Sequence, residues 1–421
     1  MRIVSAKWPQ MHPHPSVLAR LRDNRGPLLI AAALIAIDVF VVHRASGWGD
    51  VSLYHSYATW FWAGPTAFHS LPLEYPPLSI AVFSLTLVPA AQDYGTVYAI
   101  WMAGIFLAGY VAFRRFGGAR RAALYAVYLL LGATATLLNR FDLVPALLVV
   151  LAIWAAQRDR WRLAYFLLAA GTLLKLYPIF LLPLFVIEQR RTLAAAGLEP
   201  GWLRAVVRQA WPAALFSAAC VALALLADYQ STISPLIYAS ARPLQVESTP
   251  GSLLWLTSFA GFPALSERSF RSYNLVGPLG PGIGSAFAVL TLLGVGWAWL
   301  RHAQGRSDLP RASLAVVCVA IATSKVFSPQ YLIWVLPLVA LLEDLDPLWI
   351  AICALTTLIY PVMYVQDHLI GTAGPYPYSG DFLGAIAVRN VLLAAATLRL
   401  LLPAGARLRR RAEAAIPIAG D

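Results

Sequence analysis

Twelve apolar runs follow one another along this 421-residue chain, and they restrict it to one architecture. The runs are 27–43, 94–113, 122–138, 143–157, 163–174, 176–187, 210–227, 282–300, 312–323, 330–343, 347–363 and 383–402. Short Arg-rich or Pro/Gly-rich stretches separate them. Hydrophobic residues make up 59% and charged residues 12%, a balance outside that of soluble domains. Backbone groups in lipid must be satisfied within the segment, so such runs span as helices. No alternating ten-residue pattern supports a β-barrel. The expected class is therefore all-α, a polytopic transmembrane helical bundle of about twelve spans.

Segment 77–91 has about fifteen residues, fewer than the ~20 of a full crossing. If it is re-entrant or juxtamembrane, the Arg clusters at 114–121, 157–162, 188–191, 204–208, 301–311 and 407–411 all share the side of the N-terminus. That is the positive-inside pattern, with both termini cytoplasmic. If 77–91 crosses, the count becomes thirteen. The chain reads as a cytoplasmic tail (1–26), one integral domain (27–402) and a basic cytoplasmic tail (403–421). Arg20, Arg22 and Arg25 before the first run mark a signal anchor in a plasma membrane. The net charge of +12 is this loop charge and does not indicate nucleic acid.

On this topology the outer face collects the polar segments. Asp50 follows the first run in GWGDVSLYHSYATWFWAG, with Tyr54 and His55 close behind. The chain has only 20 acids, so an acid bordering water beside a membrane is a candidate general base. Asp38, inside the first run, is a second intramembrane acid. LEYPPL at 73–78 sets Glu74 and Tyr75 before a stiff Pro-Pro pair. NRFD at 139–142 offers Arg140 and Asp142, whose simplest account is a salt bridge to each other. Only Lys7, Lys175 and Lys325 are lysines among 32 basic residues, so the last two stand apart from the generic arginines. Lys175 leads into Tyr177 and Pro178, and Lys325 lies in SKVFSPQ with Gln330. A lysine between apolar runs must snorkel or meet an anion, and a lipid phosphate is an anion at that depth. ARPLQVEST in the long 228–281 loop contributes Arg242, Gln245 and Glu247.

Cys220, Cys318 and Cys353 lie far apart in apolar runs and read as core residues. No His pair has metal-ligand spacing. Asp50 and Glu74 are the two acids that could share a divalent ion such as Mg or Mn; no other cofactor is indicated. No Walker-type loop, GxGxxG or DxD element stands on the cytoplasmic side, which argues against a nucleotide-activated donor.

In order and topology these motifs resemble the C-fold membrane glycosyltransferases. The nearest are the bacterial polyprenol-phosphate-mannose-dependent α-mannosyltransferases. The resemblance runs from about residue 27 to 343 and rests on Asp50, EYPPL, NRFD, LKLYP, RPLQVES and SKVFSPQYLIWVLP. It implies a characteristic first outer loop and inverting sugar transfer on the extracytoplasmic face. The donor would be a polyprenyl-phosphate sugar, with mannose the expected sugar, and the acceptor lipid-linked or glycan, as in cell-envelope glycolipid biosynthesis. Asp50 would be the base. Lys175, Arg140, Arg242 and Lys325 would bind the donor phosphate. Tyr54, His55, Glu74, Tyr75, Asp142, Tyr177, Glu247 and Gln330 would bind sugar or acceptor. Many relatives carry a PYxD element before EYPPL, where this chain has Phe68 in place of the Tyr and Ser70 in place of the Asp. The competing readings are a lipid-linked sugar transporter or flippase, and a polysaccharide polymerase or ligase. Transport favours inverted repeats, and none is visible.

Overall fold

The computed structural model describes residues 50–63, 67–87, 93–198, 201–342, 345–366 and 378–402, together with Gly26, Leu29, Ala32, Ala33 and Ala36. Residues 1–25, most of the 27–43 run, Asp38 and the C-terminal tail with the 407–411 cluster lie outside the described residues.

The chain is mostly helical. Fifteen α-helices form among the described residues: α1 (Asp50–Ala63), α2 (Ser79–Leu85), α3 (Tyr94–Gly117), α4 (Ala119–Leu137), α5 (Leu143–Ala156), α6 (Trp161–Leu174), α7 (Leu182–Ala195), α8 (Trp202–Ala227), α9 (Tyr229–Ala241), α10 (Thr249–Thr257), α11 (Gly280–Ala303), α12 (Leu309–Ala322), α13 (Leu332–Leu341), α14 (Pro347–Thr357) and α15 (Gly380–Leu401). Side-chain caps start many of them. Asp93, Asp228, Ser248, Asp308, Asp346 and Ser379 each accept from a backbone N–H of the first turn. Gly118, at φ +88°, forms the corner between α3 and α4, where a side chain would be strained.

Among the described residues, five helices are long and apolar enough to cross a membrane: Tyr94–Gly117, Trp202–Ala227, Gly280–Ala303, Pro347–Gln366 and Gly380–Leu401. Leu143–Ala156, Trp161–Leu174, Leu309–Ala322 and Pro329–Leu341 are apolar but shorter. A 14-residue helix rises ~21 Å against a hydrocarbon core of ~30 Å. Helix α2, the helical part of 77–91 among the described residues, has seven residues and rises only ~10 Å, too short by itself to cross.

The all-α expectation omits a small sheet. Strands β1 (Leu244–Gln245), β2 (Leu265–Ser269) and β3 (Ser272–Val276) pair antiparallel in the order β1-β3-β2 inside the 228–281 loop. Leu244 faces Leu275, and both are buried with Leu254, Ile359 and Phe382 in a cluster joining the sheet to α15.

The main core packs α4 against α3, α13 and α14, and α5 against α6. In lipid such contacts depend on close packing and small residues. Gly132 of α4 is one such close approach: a Cβ there would stand 2.6 Å from Cys353 Sγ and 3.0 Å from Leu336 Cδ1. Gly132→Val is expected to lower stability by ~1–3 kcal/mol, the cost of overpacking, read as earlier thermal unfolding in detergent.

Candidate active site

A cavity of about 600 Å³ gathers side chains from segments spread along the chain. Asp50 reaches it from the first turn of α1, where helix N-terminal N–H groups favour a carboxylate. Glu74 and Tyr75 come from the Pro-Pro turn, and Arg140 from the corner between α4 and α5. Lys175 and Tyr177 come from the junction after α6, and Arg242, Gln245 and Glu247 from the segment that enters the sheet. Lys325, Gln330, Tyr331 and Trp334 come from the stretch before and into α13. Arg268 and Arg271 of the hairpin complete the basic wall. The lining thus holds six cations (Arg140, Lys175, Arg242, Arg268, Arg271, Lys325) and three carboxylates (Asp50, Glu74, Glu247). Such an excess of positive charge in a concave site draws anions.

NRFD is not a self-contained ion pair. Arg140 pairs with Asp50, and Asp142 pairs with Lys175, Nζ to Oδ1 at 2.8 Å. Asp142 is fully buried and does not line the cavity. Its Oδ1 also accepts from Trp334 Nε1 at 2.5 Å. The Lys175 ammonium lies near the rings of Phe141 (4.6 Å), Tyr75 (5.0 Å) and Trp334 (5.5 Å). Burial favours the neutral amine, while Asp142 favours the charged one, and the net direction is down. The rings add cation–π attraction. Trp334 in turn stacks between Tyr177 (4.4 Å) and Tyr331 (4.1 Å).

Sequence reasoning missed Trp334; its only signal is an indole N–H in an apolar run, which needs a partner once buried. Trp334→Phe keeps a ring beside Lys175 and removes the donor to Asp142. Hydrogen bonds to charged groups contribute ~1.5–3 kcal/mol, so a loss of that order is expected in detergent unfolding.

Glu74 is held by Tyr57, whose hydroxyl donates to Oε2. Burial and that bond push the Tyr57 phenol well above its usual range. Arg271 Nε lies 3.8 Å from the other Glu74 oxygen. Tyr57 was also missed, although it lies one helical turn beyond Tyr54.

Three predicted ligands are placed otherwise. Tyr54 is buried under the site, stacked on Phe83 at 4.3 Å and edge-on to Phe141 and Tyr75, and it does not line the cavity. Residues 51, 54 and 58 share the buried face of α1, which leaves His55 exposed and stacked on Tyr94. Asp142 serves Lys175, as described above. Glu247 does line the cavity but is nearly fully engaged. Tyr364 donates to Oε1 at 2.5 Å, Arg389 Nη1 to Oε2 at 3.3 Å, and Arg389 Nη2 and Asn390 Nδ2 to the Glu247 carbonyl. Burial pushes the Glu247 carboxyl up, and Arg389 opposes this. Arg389 sits in the middle of α15, away from Arg399 in its last turn, and an ionisable residue within a span is a functional signal in itself.

Asp50 and Glu74 each have a polar partner, and among the described residues no three His, Cys, Asp or Glu side chains gather as a metal site.

The sequence profile of Glycosyltransferase family 87 matches residues 73–329, more than half of the chain. Among solved structures, that of ArnT from Cupriavidus metallidurans bound to undecaprenyl phosphate is similar at a TM-score of 0.47 and 14% identity, over 92% of this chain and 77% of that one. No curated protein matches.

Proposed function

The chain belongs to glycosyltransferase family 87, and from the cavity built around Asp50 we propose how it acts. It transfers a sugar, mannose on the family resemblance, from a polyprenyl-phosphate donor to a lipid-linked or glycan acceptor, with inversion. The reaction takes place on the extracytoplasmic face of a plasma membrane that the chain crosses twelve times, an orientation that rests on the placement of the Arg clusters. The observation that carries the reading is the company Asp50 keeps. One carboxylate at a helix N-terminus shares a single cavity with six cations and with aromatic faces.

Asp50 takes the proton of an acceptor hydroxyl as that oxygen attacks the anomeric carbon. The bond from that carbon to the phosphate oxygen breaks, and its electron pair leaves with the phosphate. The cations of the wall neutralise the charge that grows there, and fixed charge of this kind is usually the largest catalytic contribution. Arg140 orients Asp50 through the ion pair. Glu74, Tyr75, Tyr177 and Gln330 face the sugar and acceptor hydroxyls. Tyr54 and His55 have no place in this scheme, and Asp142 and Glu247 act through Lys175 and Arg389.

Membranes containing the chain, supplied with radiolabelled polyprenyl-phosphate mannose and their own lipid acceptors, are expected to form a new labelled glycolipid. Label found unchanged but moved across the membrane would instead mean transport. No product from any lipid-phosphate sugar would reject the reading.

A further inference from the structure

A second cavity, about 680 Å³, meets the first at a pair of cations. It is lined by Gly280, Gly284 and Ala288 of α11 and by Leu244 and Leu275 of the sheet, and its volume lies in the ~300–1,000 Å³ range of ligand sites. Arg242 and Lys325 line both cavities. Helix α11 is of spanning length and mostly unburied, so this groove opens on the side where lipid would lie. The two cations differ from the other pair in the wall. Arg140 and Lys175 are each matched to a carboxylate. Arg242 donates to Ser272 Oγ at 2.6 Å and Lys325 to the Ser240 carbonyl at 2.9 Å, both neutral acceptors. Arg242 Nε is buried with no hydrogen-bond partner among the described residues. A buried donor left unmet is costly and calls for an acceptor from outside the chain.

Building on the function proposed above, we infer that the second cavity seats the isoprenoid chain of the donor and that Arg242 and Lys325 hold its phosphate at the junction. The groove is mostly apolar, its polar lining along α11 being the hydroxyls of Ser285 and Thr291, and it is charged only at the Arg242–Lys325 end, which matches a lipid with one anionic head. Its small residues leave room for a methyl-branched chain. Arg140 and Lys175 are then free to serve Asp50 and the sugar side of the cavity. A Cβ on Gly284 would stand 3.6 Å from Leu244 Cδ2 and 3.7 Å from Lys325 Cδ, ordinary contacts, so a leucine there occupies the groove beside the junction.

The test uses the purified full chain in detergent and three probes: undecaprenyl phosphate, undecaprenol and citronellyl phosphate. Gly284→Leu is expected to weaken undecaprenyl phosphate about tenfold and to leave the short citronellyl phosphate within about twofold. Arg242→Gln with Lys325→Gln is expected to weaken both phosphates about tenfold or more and to spare undecaprenol. Thermal unfolding confirms that each variant is folded. Wild-type binding of undecaprenyl phosphate with no loss in Gly284→Leu would overturn this inference and leave the proposed function standing. Equal loss of all three probes in Gly284→Leu would also overturn it, since the change would not follow chain length. A wild type that binds neither phosphate would bring down the donor reading, and this inference with it.

Discussion

Asp50→Asn is expected to lower sugar transfer by ~10²–10⁴-fold at equal protein abundance, the usual contribution of a positioned acid–base group. The asparagine amide is nearly isosteric and still offers Arg140 an acceptor, but it cannot take a proton from the attacking hydroxyl. The fold should scarcely register the change. The Asp50 and Arg140 side chains are 36% and 18% exposed, and solvent-screened pairs contribute only ~0–1 kcal/mol. A large loss of rate with a small shift in unfolding temperature therefore separates a chemical role from a structural one. The measurement is the initial rate of labelled glycolipid formation in matched membranes. Undiminished activity would move the base to Glu74, the next carboxylate on the wall.

Arg389→Met is expected to cost ~3–5 kcal/mol of stability, because it leaves the buried Glu247 carboxylate without its cation. Arg389 is fully buried, and its guanidinium also lies 4.1 Å from the Phe327 ring centre. Its bonds to Glu247, with those of Asn390, fasten the segment after β1 to α15. Losing them should loosen the wall that carries Arg242 and Gln245. Glu247→Gln placed on top of Arg389→Met should recover part of the loss, since a neutral amide is cheaper to leave buried than a charge. Detergent unfolding of the two single variants and the double variant gives the coupling directly. A fully additive double variant would contradict the pairing.

The motifs that line the cavity were legible because each breaks an apolar run. An acid, a Pro-Pro pair or a solitary lysine must have a reason to sit between two spans, and Asp50, Glu74, Lys175 and Lys325 were found that way. Which of them touch one another was not legible. Arg140 and Asp142 are two residues apart, yet each takes its partner from another segment, Asp50 from α1 and Lys175 from the end of α6. Spacing within NRFD carries no trace of this. Tyr54 and His55 were misplaced because the face of α1 is set by an aromatic cluster contributed by Tyr75, Phe83 and Phe141. The sheet escaped notice because LQ, LSERS and SYNLV are too short for alternation to rise above their surroundings. Hydropathy likewise marked 163–174 and 176–187 as two spans. The structure makes α6, a 3-10 turn at Tyr177–Leu181 and then α7, whose later turns carry Glu188, Arg190 and Arg191. Arg389, in the middle of the 383–402 run, was passed over in the sequence, and its meaning became clear only when Glu247 met it.

The most direct test of the central claim uses the purified chain with an acceptor lipid extract and two donors supplied separately, polyprenyl-phosphate mannose and GDP-mannose. The anomeric configuration of the product is then determined by NMR. The account predicts transfer from the polyprenyl-phosphate donor alone, with a product anomer opposite to that of the donor. Transfer from the nucleotide sugar alone, or a product that keeps the donor's configuration, would contradict it.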